Sequence, residues 1–205
     1  RFLYLISSVD PQGGGVIDGA IQLHRALAAQ GHRGEFASTD DPSDACVREF
    51  SAARLHALGP SRGRFGHTPR LEPWLRAHAH QYDALIVNGL WQYIGLAARQ
   101  ALKGCATPYF VFPHGMLDPW FKRRYPLKHL KKWLYWLAAE YRVLRDARRV
   151  LFTCEEERLL ARRSFWLYRC EEAVVSFGTA PPDDDPDLSM QAFLAEFPHL
   201  RGKRL

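Results

Sequence analysis

Short β-prone runs alternate with stretches of helical periodicity along almost the whole chain, and this alternation constrains the fold more than any other feature. The runs fall at 2–6, 34–38, 84–87, 109–112, 150–152 and 173–175. Between them, apolar residues recur at spacings of three and four. Ile17, Ala20, Ile21, His24, Leu27 and Ala28 predict a first helix that Gly31 ends. Leu71, Trp74, Leu75 and His78 predict another within 69–81, and a third follows Gln92 to about Leu102. Strands that alternate with helices build a mostly parallel sheet, because parallel neighbours need a crossover and the crossover is a helix. The expected fold is therefore α/β and Rossmann-like, with helices on both faces of the sheet.

Further predictions are more local. Segments 46–50 and 54–58 read as short strands. A long helix spans 126–146, with Leu127, Leu130, Leu134, Leu137, Tyr141 and Leu144 as its core-facing stripe and Trp133 and Trp136 on the flanks. Thr153 is placed to cap the helix that follows, with Glu155 and Glu156 in its first turn. Residues 181–186, Pro-Pro-Asp-Asp-Asp-Pro, break the pattern as a linker, and a short helix is expected at 189–196.

In such a sheet, ligands collect beyond the carboxyl ends of the strands. Unusual residues stand at those positions here. They are Gly13, Gly14 and Gly15 after the first strand, and Asn88, Gly89, Trp91 and Gln92 after the run 84–87. Pro113, His114, Gly115 and Asp118 follow the run 109–112, Thr153 to Glu155 follow 150–152, and Gly178 follows 173–175. Three consecutive glycines allow a ligand close to the backbone, and the helix start behind them offers free N–H groups to an anion. The spacing is neither Gly-x-Gly-x-x-Gly nor a P-loop, so a phosphate cradle and a flexible turn both fit the glycines alone. His114 either faces a cleft or caps a turn.

Composition excludes several classes. There is no apolar run of about 18 residues that could cross a membrane as a helix. The cysteines, Cys46, Cys105, Cys154 and Cys170, form no Cys-x-x-Cys pair, which argues against zinc and suits a reducing cytosol. No cluster of carboxylates or histidines has metal-ligand spacing, so no metal site is expected. His78 and His80 face different directions on a helix. The formal net charge of +6 admits anionic partners. No nucleic-acid motif accompanies the basic run 122–132, so nucleic acid is not an expected partner.

The order of these motifs resembles the N-terminal domain of bacterial GT-B glycosyltransferases of the large retaining family 4. The likeness is carried by the glycine loop, by Pro113-His114-Gly115-Met116-Leu117-Asp118, by the basic helix, by Thr153-Cys154-Glu155-Glu156-Glu157 and by the strand closing at Gly178. It covers nearly the whole chain. The His-Gly-Met-Leu-Asp loop is its specific part. The resemblance implies transfer of a sugar from a nucleotide diphosphate to a hydroxyl acceptor, a glycan or a lipid-linked molecule, in bacterial polysaccharide or cell-envelope synthesis. It implies His114 beside the donor sugar, Gly13, Gly14 and Gly15 near the diphosphate, and Asn88, Trp91, Gln92 and Asp118 around the acceptor. No cofactor is expected. Residues 1–178 would form the acceptor-side domain, and 179–205 a linker leading into a donor-binding domain. Without that domain the chain would be inactive. A non-catalytic nucleotide or phosphate-binding module of the same fold is the alternative. A cytoplasmic location is expected; segment 122–136, where Lys128, Lys131, Lys132 and Tyr135 would share one helical face, fits either peripheral membrane contact or a solvated face whose aromatics join the core.

Overall fold

The computed structural model describes residues 1–120, 124, 126–175 and 185–203, without the side chains of 126–129 and 186. Its strands are β1 (Phe2–Ile6), β2 (Gly34–Ser38), β3 (Arg54–Ala57), β4 (Ala84–Asn88), β5 (Tyr109–Phe112), β6 (Arg149–Phe152) and β7 (Glu172–Val174). They form one sheet in the order β3-β2-β1-β4-β5-β6-β7, and each named pairing is parallel. The chain winds outward from β1 through β2 and β3, then returns to the other side of β1 with β4. The topological switch therefore lies between β1 and β4, where the connections leave in opposite directions and open a crevice.

Alternation along each strand divides the core into two layers. On one face Tyr4, Ile6, Phe36, Ile86 and Phe112 meet Ile17 and Ala20 of helix α1 (Gly15–Ala29). On the other, Leu3, Leu5, Val87 and Val111 meet Leu71 and Leu75 of α3 (Leu71–His78) and Ile94 and Ala97 of α4 (Tyr93–Ala101). All of β4 is buried, as expected of a central strand covered on both faces. The four cysteines are free thiols.

Of residues 46–50, expected as a strand, 46–49 belong to a helix, α2 (Ala45–Glu49), and Phe50 is its C-cap. Cys46, Val47 and Phe50 lie on one side of that turn and pack on the core layer of Tyr4 and Phe36. Asp41 accepts from Ser43 N–H at 2.8 Å, and Asp41 N–H donates to Asp44 at 3.1 Å, so the chain enters α2 through a tight turn. Residues 54–57 form the expected strand.

The long helix is present but turned over. It comprises α5 (Pro126–Tyr135), a π-helical segment Trp136–Glu140 and α6 (Tyr141–Asp146). Of the expected stripe, Leu130, Leu134 and Leu137 face outward, whereas Leu144 is buried. Trp136, placed by periodicity on the flank, is fully buried. A π turn holds one extra residue, so everything beyond it is rotated by about 100° relative to a continuous α-helix. One unbroken stripe therefore cannot serve both halves. Trp136 brings more apolar area than a leucine, stacks on Phe165 at 4.7 Å between centroids and donates Nε1–H to the Trp166 carbonyl at 2.8 Å.

Helix α7 (Glu155–Ala161) starts one residue later than expected. Its N-cap is Cys154, whose sulfur accepts from Glu157 N–H at 3.5 Å. The last helix, α8 (Pro186–Glu196), begins earlier than expected, with Asp185 as cap. Gly178, residues 181–184, Phe121, Lys122, Arg123, Tyr125, Arg204 and Leu205 lie outside the described residues, as do the side chains of Leu127 and Lys128. No described helix is long and apolar enough to cross a membrane.

Candidate functional site

Three strand-end loops meet at the switch point. The first leaves β1 at Ser7. The end of β2 pins it, because Val9 N–H donates to Asp40 at 2.9 Å and the Thr39 hydroxyl to the Ser7 carbonyl at 2.8 Å. A 3₁₀ turn over Pro11–Gly13 then leads to Gly14, whose φ of 106° is a conformation that side chains rarely adopt. A Cβ built on Gly13, Gly14 or Gly15 would meet no atom within 4 Å. These glycines are not there for packing inside this chain; they border open space. Helix α1 starts at Gly15 without a side-chain cap, so its first N–H groups stay available on that rim.

The second loop begins at Asn88, which is 1% exposed. Its amide group donates to the Leu5 carbonyl at 3.4 Å and the Ile86 carbonyl at 3.2 Å, which orients Oδ1 toward His114. His114 Nε2 lies 3.2 Å from that oxygen. Because Oδ1 can only accept, Nε2 carries the proton. Burial lowers the His114 pKa, partly offset by the carboxylate of Glu157, so the ring is neutral at pH 7 and Nδ1 is an acceptor.

The third loop holds His114 at φ 49° and Gly115 at φ 73°. Left-handed backbone costs a non-glycine residue roughly 1–2 kcal/mol, so the surrounding contacts must hold it. Glu157 supplies them. Its carboxylate accepts Gly115 N–H at 2.7 Å and both the N–H and the hydroxyl of Thr153 at 2.8 Å. Trp91, at φ 68°, is a second left-handed residue on this rim. The two loops are also joined directly. Gly89 N–H donates to the Phe112 carbonyl at 2.8 Å, Leu90 N–H to the Met116 sulfur at 3.1 Å, and Trp91 Nε1–H to the Met116 carbonyl at 3.3 Å. A side chain at Gly89 would come within 3.2 Å of the Met116 methyl.

Between these loops lies a cavity of about 120 Å³, lined by Ser7, Gly13, Gly14, Asn88, Gln92 and Met116 among others. The structure thus brings Gly13, Gly14, Asn88 and Gln92 together around one space. His114 joins them through Asn88, and Gly15 sits at the adjoining helix start. Trp91 does not line the cavity. Its ring lies against Phe165 at 5.2 Å and Trp136 at 6.3 Å, with Lys132 Nζ 4.7 Å from its centroid. Asp118 does not line it either; its carboxylate accepts Trp120 N–H at 2.7 Å in a local turn. A larger cavity, about 380 Å³, opens at the opposite edge of the sheet beside Arg99, Thr107 and Arg148. It lies at the amino ends of the strands, away from these loops. Among the described residues, Asp40, Asp44 and Cys46 form one group with ligand atoms within 4.8 Å of each other. Asp40 already holds Val9 N–H and Asp44 holds Asp41 N–H, so these acids serve the turn.

Sequence reasoning missed Glu140. It is 1% exposed behind the second loop, where its carboxylate faces the N–H of Trp91. Burial raises its pKa to about 8; the Trp91 N–H, Tyr135 and Lys132 oppose the shift. Glu140 Oε2 and the Tyr135 hydroxyl are buried without a well-formed hydrogen bond, although the two groups face each other. Its only signal in the sequence is a lone acid among apolar residues. With the folded pKa above the ordinary carboxylate value, the native state holds the proton more tightly than the unfolded chain. The contribution of Glu140 to stability is therefore fully present at low pH and is lost as pH rises through the window from about 4.5 to about 8. Glu140→Gln should flatten that slope. Urea unfolding at pH 5 and pH 8 checks this: equal slopes in the two proteins would mean that Glu140 ionises normally.

A parallel, doubly covered sheet with a glycine loop and a polar cavity at its switch point defines a Rossmann-like ligand-binding domain. Residues 14–178 match the family described as the glycosyl transferase 4-like domain, and the chain belongs to that family. No curated protein matches it. Solved structures share the fold, among them the two that follow. HepE of Anabaena, crystallised with UDP and glucose, is 16% identical, with a TM-score of 0.61 over 95% of this chain and 50% of its own. A UGT transferase of Siraitia grosvenorii, crystallised with UDP, is 14% identical, with a TM-score of 0.50 over 95% of this chain and 55% of its own. The chain thus spans about half the length of the structures it matches. The expected fold, one half of a GT-B architecture, is the fold observed.

Proposed function

We propose that this chain is the acceptor-side half of a retaining glycosyltransferase. The enzyme would move a hexose from a nucleoside diphosphate to a hydroxyl of a glycan or lipid-linked acceptor, at the cytoplasmic side of a bacterial envelope. The observation that carries this reading is the cavity at the switch point, where the glycine loop and the Asn88–His114 pair meet. The nucleotides named for the two solved structures support a nucleotide donor. Catalysis of this kind must stabilise the departing diphosphate and orient the attacking hydroxyl. Gly13, Gly14 and Gly15 would offer backbone N–H groups to the diphosphate, helped by the start of α1. Neutral His114, with Nδ1 as acceptor, would take a hydrogen bond from a sugar hydroxyl near the reacting carbon. Asn88 holds that imidazole, and Gln92 and Asp118 would meet the acceptor. Trp91 backs the loop from the core side. No metal takes part in this reading.

The test is release of nucleoside diphosphate from a panel of nucleotide sugars by the natural full-length protein with a hydroxyl acceptor. The expected result is acceptor-dependent release that replacement of both Gly14 and His114 by alanine abolishes. Residues 1–205 alone should turn over no donor and bind UDP weakly. Nanomolar UDP binding without transfer by the full-length protein would favour the non-catalytic module instead.

A further inference from the structure

Glu140 is the only buried acid among the described residues, and it closes the π segment Trp136–Glu140. The extra residue of that segment turns it away from the bearing that a continuous α-helix would give it. It faces the first turn of α4. A Cβ built on Gly95 of that turn would lie 4.0 Å from Glu140 Oε1 and 3.2 Å from a methyl of Val143, so the missing side chain lets α4 and the long helix approach this closely. An acid suits a helix start, where the N–H groups carry partial positive charge. Helix α4 has no side-chain cap of its own, because Gln92 at its N-cap makes no such bond. The carboxylate of Glu140 faces the N–H of Trp91, one residue earlier. Trp91 needs holding, since its φ of 68° is a strained conformation for a bulky residue. Lys132 and Tyr135, expected from the sequence on one face with Lys131, turn inward to the same place. Lys132 Nζ lies 4.7 Å from the Trp91 centroid, and the Tyr135 ring packs against Trp91 at 6.5 Å and Phe65 at 5.3 Å. The Phe65 carbonyl accepts Tyr93 N–H at 2.8 Å. The residues on both sides of Gln92 are thus fixed from outside the loop, and Gln92 itself lines the cavity.

We propose that Glu140 is a positioning residue of the site: it holds the left-handed turn at Trp91 and thereby sets where Gln92 meets the acceptor. The inference rests on the sugar-transfer reading. Packing alone does not call for an acid here. Burying a carboxyl costs free energy that an apolar side chain of similar shape does not, and Glu140 Oε2 has no well-formed hydrogen bond to offset it. An oxygen aimed at the Trp91 N–H accounts for the residue type. The other polar groups that face it are Tyr135 and Lys132, both from α5.

Glu140→Met and Glu140→Gln in the natural full-length protein provide the test. Methionine keeps the shape and leaves the Trp91 N–H unpaired, whereas glutamine still offers it a carbonyl oxygen. Glu140→Met should raise the acceptor KM about tenfold with the donor KM unchanged, and the Trp91 amide should exchange with solvent about tenfold faster. Glu140→Gln should recover most of both. A methionine variant that keeps the acceptor KM and the Trp91 protection would overturn the proposal. So would methionine and glutamine variants that lose protection alike across the whole domain, because the acid would then serve the fold alone. No transfer by the parent protein would overturn the sugar-transfer reading and the acceptor role with it, while the Trp91 amide still decides whether Glu140 holds the loop.

Discussion

Trp136→Ala should lower the unfolding free energy by about 3–5 kcal/mol, the range for removing a large buried aromatic side chain. Leu134→Ala, two residues earlier, should change it by no more than about 0.5 kcal/mol. The contrast follows from the inverted helix. Trp136 is 0% exposed and Leu134 is 66% exposed. Besides its area, the indole loses its stack on Phe165 and its bond to the Trp166 carbonyl, and that carbonyl is left to find another donor. Trp136 also supports Trp91 from below, so the second rim loop loses part of its backing. Urea denaturation with a constant m-value measures both differences. If Leu134 proved the costlier residue, the leucine stripe would be the buried face.

On the proposed function, His114→Ala in the natural protein should reduce sugar transfer by about 100-fold or more, in the chemical step rather than in donor binding. The imidazole is held neutral, with its tautomer set by Asn88, and stacks on Phe112 at 5.5 Å. Its loss removes a positioned group and leaves the loop otherwise tied by Glu157. Because His114 sits at φ 49°, alanine there carries backbone strain that glycine does not. His114→Gly is therefore the informative partner: it should be as inactive as alanine yet melt at or near the parent temperature. Single-turnover rates and thermal melts of both variants decide the matter. A glycine variant that keeps full transfer would make His114 a turn residue and remove it from the site.

The sequence shows the strands and their strand-end loops because both depend on local signals. A run such as Ala84–Val87 can hardly be anything but a central strand, and the glycines after β1 mark a loop before any contact is known. The side of a helix that faces the core is harder to read. In 130–144 the leucines and the tryptophans both make acceptable stripes, and only the partner surface at Phe165 and the π turn choose between them. Segment 46–50 shows the same difficulty on a smaller scale, since Cys46, Val47 and Phe50 fit either a strand or one helical turn. Within the site, the glycines, Asn88 and His114 were legible from their position after strands. Glu157 and Glu140 were not, because each acts on a residue distant in sequence. Glu157 stands in the sequence only as the last of three consecutive acids, although a glutamate four places after Thr153 hints at a reach back across the helix start.

The carboxylate of Glu157 has one more consequence. Its Oε1 holds Gly115 on one loop and its Oε2 holds Thr153 on the next. Neither amide can open to solvent without loosening the anchor of the other. Loosening that one carboxylate should therefore free the carboxyl ends of β5 and β6 together, and with them the backbone that carries the His114 imidazole.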